Sequence, residues 1–154
     1  MPVFISHKYE DKQSALQISD YLRRRGVFSY VDVLDPTLKA TDDITKTIME
    51  RISLCTHLMA VFSQYTEKSW WVPFEIGVGT EKDRRITSFQ LPQLSVVSFP
   101  EFLSKWPILK SQQDLDTFIE FYRKDNIVAL DEARSYSRSI FSADQFHREL
   151  KARL

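Results

Sequence analysis

Cysteine is almost absent: Cys55 is the only one in 154 residues. No disulfide can therefore close within the chain, and no cysteine cluster can hold a metal; this usage suits a reducing compartment, and the cytosol is the expected location. A lone thiol inside the apolar-rich stretch Ile52 to Phe62 reads as core filler rather than as a nucleophile. An excess of either charge is also missing, since Lys plus Arg and Asp plus Glu number 21 each. Binding to nucleic acid or an anionic membrane needs surplus Lys/Arg to displace counterions, so neither partner is expected. The local run Arg23, Arg24, Arg25 reads as a solvated helix end at the favourable pole of the dipole. No apolar run approaches the ~20 residues of a membrane span. No basic region followed by an apolar stretch opens the chain, so a signal peptide is not expected. Among the histidines, His7, His57 and His147 show no metal-ligand spacing, and no metal is expected.

What is present is the balance of a globular protein, 43% hydrophobic and 27% charged, at a length that suits one core. The expected organisation is a single domain over 1–154, with a core over 2–130 and a closing helix near 142–153. Val3-Phe4-Ile5 is a short β-forming run ending in the polar turn Ser6-His7-Lys8. Ala15, Ile18, Tyr21 and Leu22 then recur at helical spacing, and Gly26 stops that helix. Val27 to Val33 is a second strand candidate. Asp42-Asp43 can cap a helix whose narrow apolar face is Ile44, Ile48 and Ile52, with Met49 beside it. Leu58 to Phe62 is apolar without alternation, which suits a strand buried on both faces. A helix from about Ser69 to Lys82 and a weaker strand over Ile86 to Phe89 follow.

Beyond Pro92 the pattern is less regular. Val96-Val97 fits a strand or a loop, Pro100 to Trp106 a short helix, and Leu115 to Tyr122 a firmer helix with the stripe Leu115, Phe118, Ile119, Tyr122. Ile127 to Leu130 reads as an edge strand. Ser142, with Gln145 at the third position after it, caps a last helix whose inner face is Phe146 and Leu150. Strands and helices alternating in this way predict a doubly wound α/β fold with a mainly parallel sheet of about five strands and flanking helices.

In such sheets ligands bind at the carboxyl ends of the strands. The most unusual composition at any of those ends is Ser69-Trp70-Trp71-Val72-Pro73-Phe74-Glu75. Two adjacent tryptophans at a helix start cannot both face the core, because neighbours point about 100° apart. Trp71 and Glu75 are four apart and share a face. An aromatic surface beside a carboxylate suits a sugar or nicotinamide site. Pro73 fits only the first turn of a helix, which puts Glu75 close to that helix's N-terminus, where the dipole favours a charged carboxylate. The same residue also reads as an ordinary glutamate favoured there by the dipole alone. Trp71 reads either as a pocket wall or as helix packing, and Ser69 as the helix cap. Trp70 fits a partly buried surface aromatic or a contact to a neighbouring subunit. The Gly77-Val78-Gly79 triplet lies inside the helix rather than between strand and helix, so it is not a dinucleotide fingerprint; close helix–sheet packing is the expected role.

Ser69-x-Trp71-Val72-x-x-Glu75 resembles the serine, tryptophan, small residue, glutamate signature of the TIR (Toll/interleukin-1 receptor) domain. Val3 to His7 with Glu10-Asp11 is similar to its first strand and following loop. Val31-Asp32 through Asp43 occupies the place of its BB loop, and Leu58 to Ser63 with Tyr65 resembles the third strand and its exit. The likeness covers roughly residues 2 to 90, and 100 to 121 is similar, less specifically, to the later part of bacterial TIR proteins. It implies a flavodoxin-like sheet and, as in standalone Thoeris-like TIR enzymes of bacterial antiphage defence, NAD glycohydrolase or ADP-ribosyl cyclase activity.

Glu75 stands at the place of the catalytic glutamate of those enzymes. The resemblance implies substrate-binding roles for Phe4, Ser6, His7, Asp35, Ser69 and Trp71, with Phe4 equally readable as plain core. It implies NAD+ as substrate rather than as a cofactor, homo-oligomeric TIR–TIR contacts, and a separate effector that senses the product. One departure stands out: Leu34 to Asp43 has a proline but lacks the family's proline–glycine pair, which leaves its backbone fewer shapes. Two other functions are compatible with the residues, a TIR scaffold without catalysis and a nucleoside deoxyribosyltransferase-like enzyme.

Overall fold

The structure is a computed structural model that describes residues 2–31, 42–92, 100–134 and 142–154, with the backbone alone at 42, 43, 67 and 126–134. Five strands, β1 (Val3–Ser6), β2 (Ser29–Val31), β3 (His57–Phe62), β4 (Arg85–Gln90) and β5 (Ile108–Leu109), form one sheet. Their order is β2-β1-β3-β4-β5, and every pairing is parallel. The expected fold class is thus the observed one. β3, apolar from Leu58 to Phe62 after His57, is buried along its whole length, as the lack of alternation in that run requires of a central strand covered on both faces. β2, at one edge, is only partly covered.

Among the described residues five α-helices flank the sheet: α1 (Lys12–Arg24), α2 (Asp42–Leu54), α3 (Trp71–Glu81), α4 (Gln112–Arg134) and α5 (Ala143–Lys151). Alternation along the strands divides the core in two. Val3, Ile5, Met59, Val61 and Phe89 pack with Ala15, Ile18 and Leu22 of α1, the stripe of α4, and Phe146 and Leu150 of α5. On the other face Phe4, Leu58, Ala60, Phe62 and Ile86 meet Ile48 and Ile52 of α2 and Val72 and Ile76 of α3. Cys55 lies in this second cluster, 1% exposed, and burial pushes its thiol up to about 11, so it is filler as expected. Gly26 takes φ 78 at the end of α1, and Ser142 accepts from the Gln145 amide at the start of α5.

One expectation changes, and the sheet has an edge that the sequence pattern did not show. Ile127 to Leu130 is not a strand: it continues α4, which runs to Arg134 with no proline or glycine to stop it. A short apolar run has no period that separates strand from helix, and here the helix already under way wins. The second edge of the sheet is instead β5, only two residues long, beside Ser88 and Phe89. The short helix expected over Pro100 to Trp106 is present, as a 3-10 segment over Glu101–Lys105. Val96-Val97 and residues 32–41 lie outside the described residues.

Candidate functional site

In the strand order just given, the chain leaves β1 in one direction toward β2 and in the other toward β3. The crevice of an open parallel sheet forms at that reversal, beyond the strand ends. The last residue of β1 is Ser6, and its hydroxyl donates to Oε2 of Glu75, 69 residues later. Both are buried, Ser6 fully and Glu75 at 1% exposure. Glu75 is the fifth residue of α3, which packs over β3 and β4 with its N-terminus at the carboxyl ends of the strands. Pro73 occupies the first turn, where its missing N–H costs nothing.

One turn before Glu75, Trp71 is 38% exposed and meets Phe74 edge-on, ring centroids 5.9 Å apart. Indole and carboxylate thus sit on the same side of α3 as their spacing requires. Ser69 stands ahead of the helix, and its hydroxyl accepts from the Val72 amide at 3.3 Å, the capping role expected of it. Trp70, directly ahead of α3, is 91% exposed and so is not the partly buried aromatic of the first expectation, while such exposure is compatible with the second, a contact to a neighbouring subunit. His7, directly after β1, is 9% exposed, and Phe4 lies deeper on the Ser6 side of β1 within the core. Ser6, His7, Ser69, Trp71 and Glu75 therefore gather at one end of the sheet, Phe4 lines the floor beneath, and Asp35 lies outside the described residues.

Gly79 behaves as expected, since a Cβ there would stand 3.0 Å from Leu58 Cδ1. Gly77 does not: a Cβ at that position meets nothing within 4 Å, because it points to solvent.

A second buried carboxylate lies at the same end. Asp11, 4% exposed, closes the 3-10 turn Tyr9–Asp11 between β1 and α1. Its Oδ2 accepts from Ser63 Oγ at 2.6 Å and from Thr66 Oγ1 at 3.4 Å, both on the loop that leaves β3. Burial raises the carboxyl above the usual aspartate range, opposed by the Ser63 and Thr66 hydroxyls. The Glu10-Asp11 pair was legible in the sequence, but its partners were not, since 52 residues separate Asp11 from Ser63.

His57 and His147 are elsewhere, at the amino ends of the strands and buried. His147 Nε2 accepts from the Ile86 amide at 2.7 Å, and Asp125 is held by Arg85 with Nε 2.9 Å from Oδ2. Among the described residues no three His, Cys, Asp or Glu side chains are grouped to hold a metal ion, and no helix is long and apolar enough to cross a membrane.

The chain is 29% identical over 79 residues to a Bacillus cereus (strain MSX-D12) protein described as "Probable 3' cyclic ADP-D-ribose synthase ThsB'". That match spans 49% of this chain and 41% of the relative, well under half of the relative's length. Among solved structures, the TIR domain of the Toll-related receptor TRR-2 from Hydra magnipapillata superposes with a TM-score of 0.57 at 21% identity, over 79% of this chain and 92% of that one. At that identity the likeness speaks for the fold. The family model of the TIR domain matches residues 3–129. With the signature over Ser69 to Glu75 on the helix that borders the β1/β3 crevice, this chain belongs to the TIR domain family.

Proposed function

We propose that this TIR domain is an enzyme that cleaves NAD+ at the nicotinamide–ribose bond, with Glu75 as the catalytic carboxylate. The observation that carries the reading is the pairing of Ser6 and Glu75 at the switch point of the sheet, with Trp71 one turn away. Nicotinamide needs no general acid, because it departs neutral from a cationic pyridinium. The difficulty lies in the ribose left behind, whose oxocarbenium-like charge a nearby carboxylate stabilises electrostatically. Ser6 fixes the carboxylate, Trp71 supplies a flat apolar wall for the planar base, and Ser69 and His7 line the approach. Water, a hydroxyl of the same ADP-ribose or a nucleophilic group of a second molecule then takes the anomeric carbon and releases its proton to solvent. The products are nicotinamide and either linear ADP-ribose or a cyclic or conjugated form.

The relative described as a cyclic ADP-ribose synthase supports the same class of chemistry. On this reading the protein acts in the cytosol as the signalling arm of bacterial antiphage immunity. It assembles through TIR–TIR contacts and passes its product to a separate effector. NAD+ is consumed as substrate, with no cofactor.

The scaffold reading draws on one observation: Glu75 is almost wholly buried and tied to β1, so it can brace α3 without any substrate. Incubation of concentrated protein with NAD+, followed by chromatography with mass detection, separates the two. Nicotinamide release by the wild type and its loss in Glu75→Ala support the enzyme, and the mass of the second product identifies the signal. Inert wild type at high concentration, with crowding agent and infected-cell lysate, sinks the enzyme reading and leaves the scaffold. Release of free base from deoxynucleosides in place of NAD+ turnover identifies a deoxyribosyltransferase-like enzyme.

A further inference from the structure

The two loops that flank the crevice are joined by a buried hydrogen-bond network that the NAD+ chemistry does not itself use. One loop follows Ser6, the last residue of β1, and carries His7 and Asp11. The other, after β3, begins at Ser63, passes through the 3-10 turn Thr66–Lys68 and delivers Ser69, Trp70 and Trp71 to the start of α3. Asp11 spans them. Its carboxylate accepts from Ser63 Oγ at 2.6 Å, while that same oxygen accepts from the Tyr65 amide at 3.0 Å. Thr66 Oγ1 accepts from the Ser63 amide at 3.0 Å and donates toward Asp11. Asp11, Ser63 and Thr66 are each at most 4% exposed, so these bonds are made away from water, where losing one partner is most costly. On its own side Asp11 is held by its amide, which donates to the Lys8 carbonyl at 2.8 Å. Toward solvent the side chains around this loop are open, with Tyr65 44% and Trp71 38% exposed.

We infer that Asp11 is a positioning residue that locks the loop after β3 to the loop after β1 and thereby holds the first turn of α3, with the Trp71 wall, against the end of β1 that carries Ser6. The inference rests on the NAD+ reading for its kinetic consequence but not for its structural one. Asp11 touches neither Glu75 nor Ser6 among the bonds described, so its removal leaves the reacting carboxylate in place and loosens the wall that holds the base. The effect belongs in substrate binding more than in the chemical step.

The test uses the three tryptophans of the chain as reporters. With Trp70→Phe and Trp106→Phe, emission reports Trp71 alone; with Trp70→Phe and Trp71→Phe it reports Trp106, which is buried in the core. Asp11→Ala is expected to shift the Trp71 emission to the red and raise its quenching by acrylamide, with Trp106 unchanged. In the otherwise native chain, KM for NAD+ should rise about tenfold while kcat stays within about threefold, and Asp11→Asn, which keeps an acceptor for Ser63, should restore most of the loss. Should Asp11→Ala fail to fold, Ser63→Ala removes the 2.6 Å bond from the other loop and should give the same split. A shift in both reporters marks general loosening and overturns the proposal, as do unchanged Trp71 emission or a fall confined to kcat. If the wild type does not cleave NAD+, the enzyme reading falls, while the Trp71 and Trp106 comparison still decides whether Asp11 couples the loops.

Discussion

The Ser6 hydroxyl is a buried hydrogen-bond donor to the Glu75 carboxylate. Ser6 is fully covered and donates to it across 69 residues of sequence, so Ser6→Ala removes the donor without opening room for water to replace it. Leaving a buried acceptor short of a bond costs about 1–3 kcal/mol, which a thermal or urea melt will read as lost stability. Without that bond the carboxylate also loses one of the restraints on its orientation, and misplacement of a catalytic group by an ångström costs on the order of a hundredfold in rate. Ser6→Ala is therefore expected to lose both stability and nicotinamide release, while Ser6→Thr keeps the hydroxyl and should recover part of the rate. A variant that turns over normally would show that the bond only braces α3. At this scale the sequence was informative about identity and silent about pairing. Trp71 and Glu75 stood out because they share one turn of one helix. Ser6 with Glu75, and Asp11 with Ser63, are brought together only by the sheet, and no local pattern encodes a contact across such separations.

Within α3 the two glycines sit two residues apart and face opposite ways. Gly79 looks onto the sheet, where an added methyl group would stand 3.0 Å from Leu58 Cδ1, and Leu58 is fully buried with little space to yield. Gly77 looks outward, with nothing within 4 Å. Gly77→Ala is expected to stabilise the protein by about 0.5–1 kcal/mol, since alanine restricts the unfolded chain and suits a helix interior. Gly79→Ala is expected to destabilise by about 1 kcal/mol or more, its helical gain outweighed by overpacking against β3. Chemical denaturation of both variants checks the pair of signs, and stabilisation by Gly79→Ala would mean that α3 rides farther from the sheet than described. A G-x-G triplet in sequence gives no hint of which glycine faces the sheet; only the helix phase set by Val72, Glu75 and Ile76 decides it. Similar limits explain the strands. β3 was legible because its covered residues Leu58 to Phe62 make a continuous apolar run. β5 was not, because its two residues carry no period, and Ile127 to Leu130 imitated a strand while α4 was still running.

Across the whole molecule the two ends of the sheet hold different chemistry. The carboxyl ends gather Ser6, His7, Asp11 and Glu75; the amino ends gather His57, Arg85 and, from α4 and α5, Asp125 and His147. Both amino-end histidines are buried and held neutral. Burial is the main cause in each, lowering His147 to about 4 and His57 well below 6.5. For His57 the neighbouring Asp125 offers little relief, because Arg85 already engages it, donating to Oδ1 at 3.1 Å, and the Arg85 charge opposes a second cation. In the unfolded chain these imidazoles take up protons near 6.5, so between that value and the folded one the unfolded state binds more protons. Stability is thus fully present above about pH 6.5 and falls as the pH drops, with a slope of about 1.4 kcal/mol per pH unit for each full proton of difference. Asp11 works the other way: its carboxyl is raised by burial, so acid favours its folded form and offsets part of the loss. His147→Gln offers the Ile86 amide an acceptor that does not titrate. It should keep α5 docked and flatten the slope between pH 6.5 and 4 by one proton's worth, leaving the share of His57. Urea melts across that range measure it. An unchanged slope would mean that His147 is already released from Ile86 in the folded protein, and a steeper one that glutamine fails to hold the helix. Because this titration lies at the end of the sheet opposite Glu75, the variant should leave nicotinamide release at pH 7.5 as it was, and a loss there would show that the docking of α5 reaches the crevice through β4.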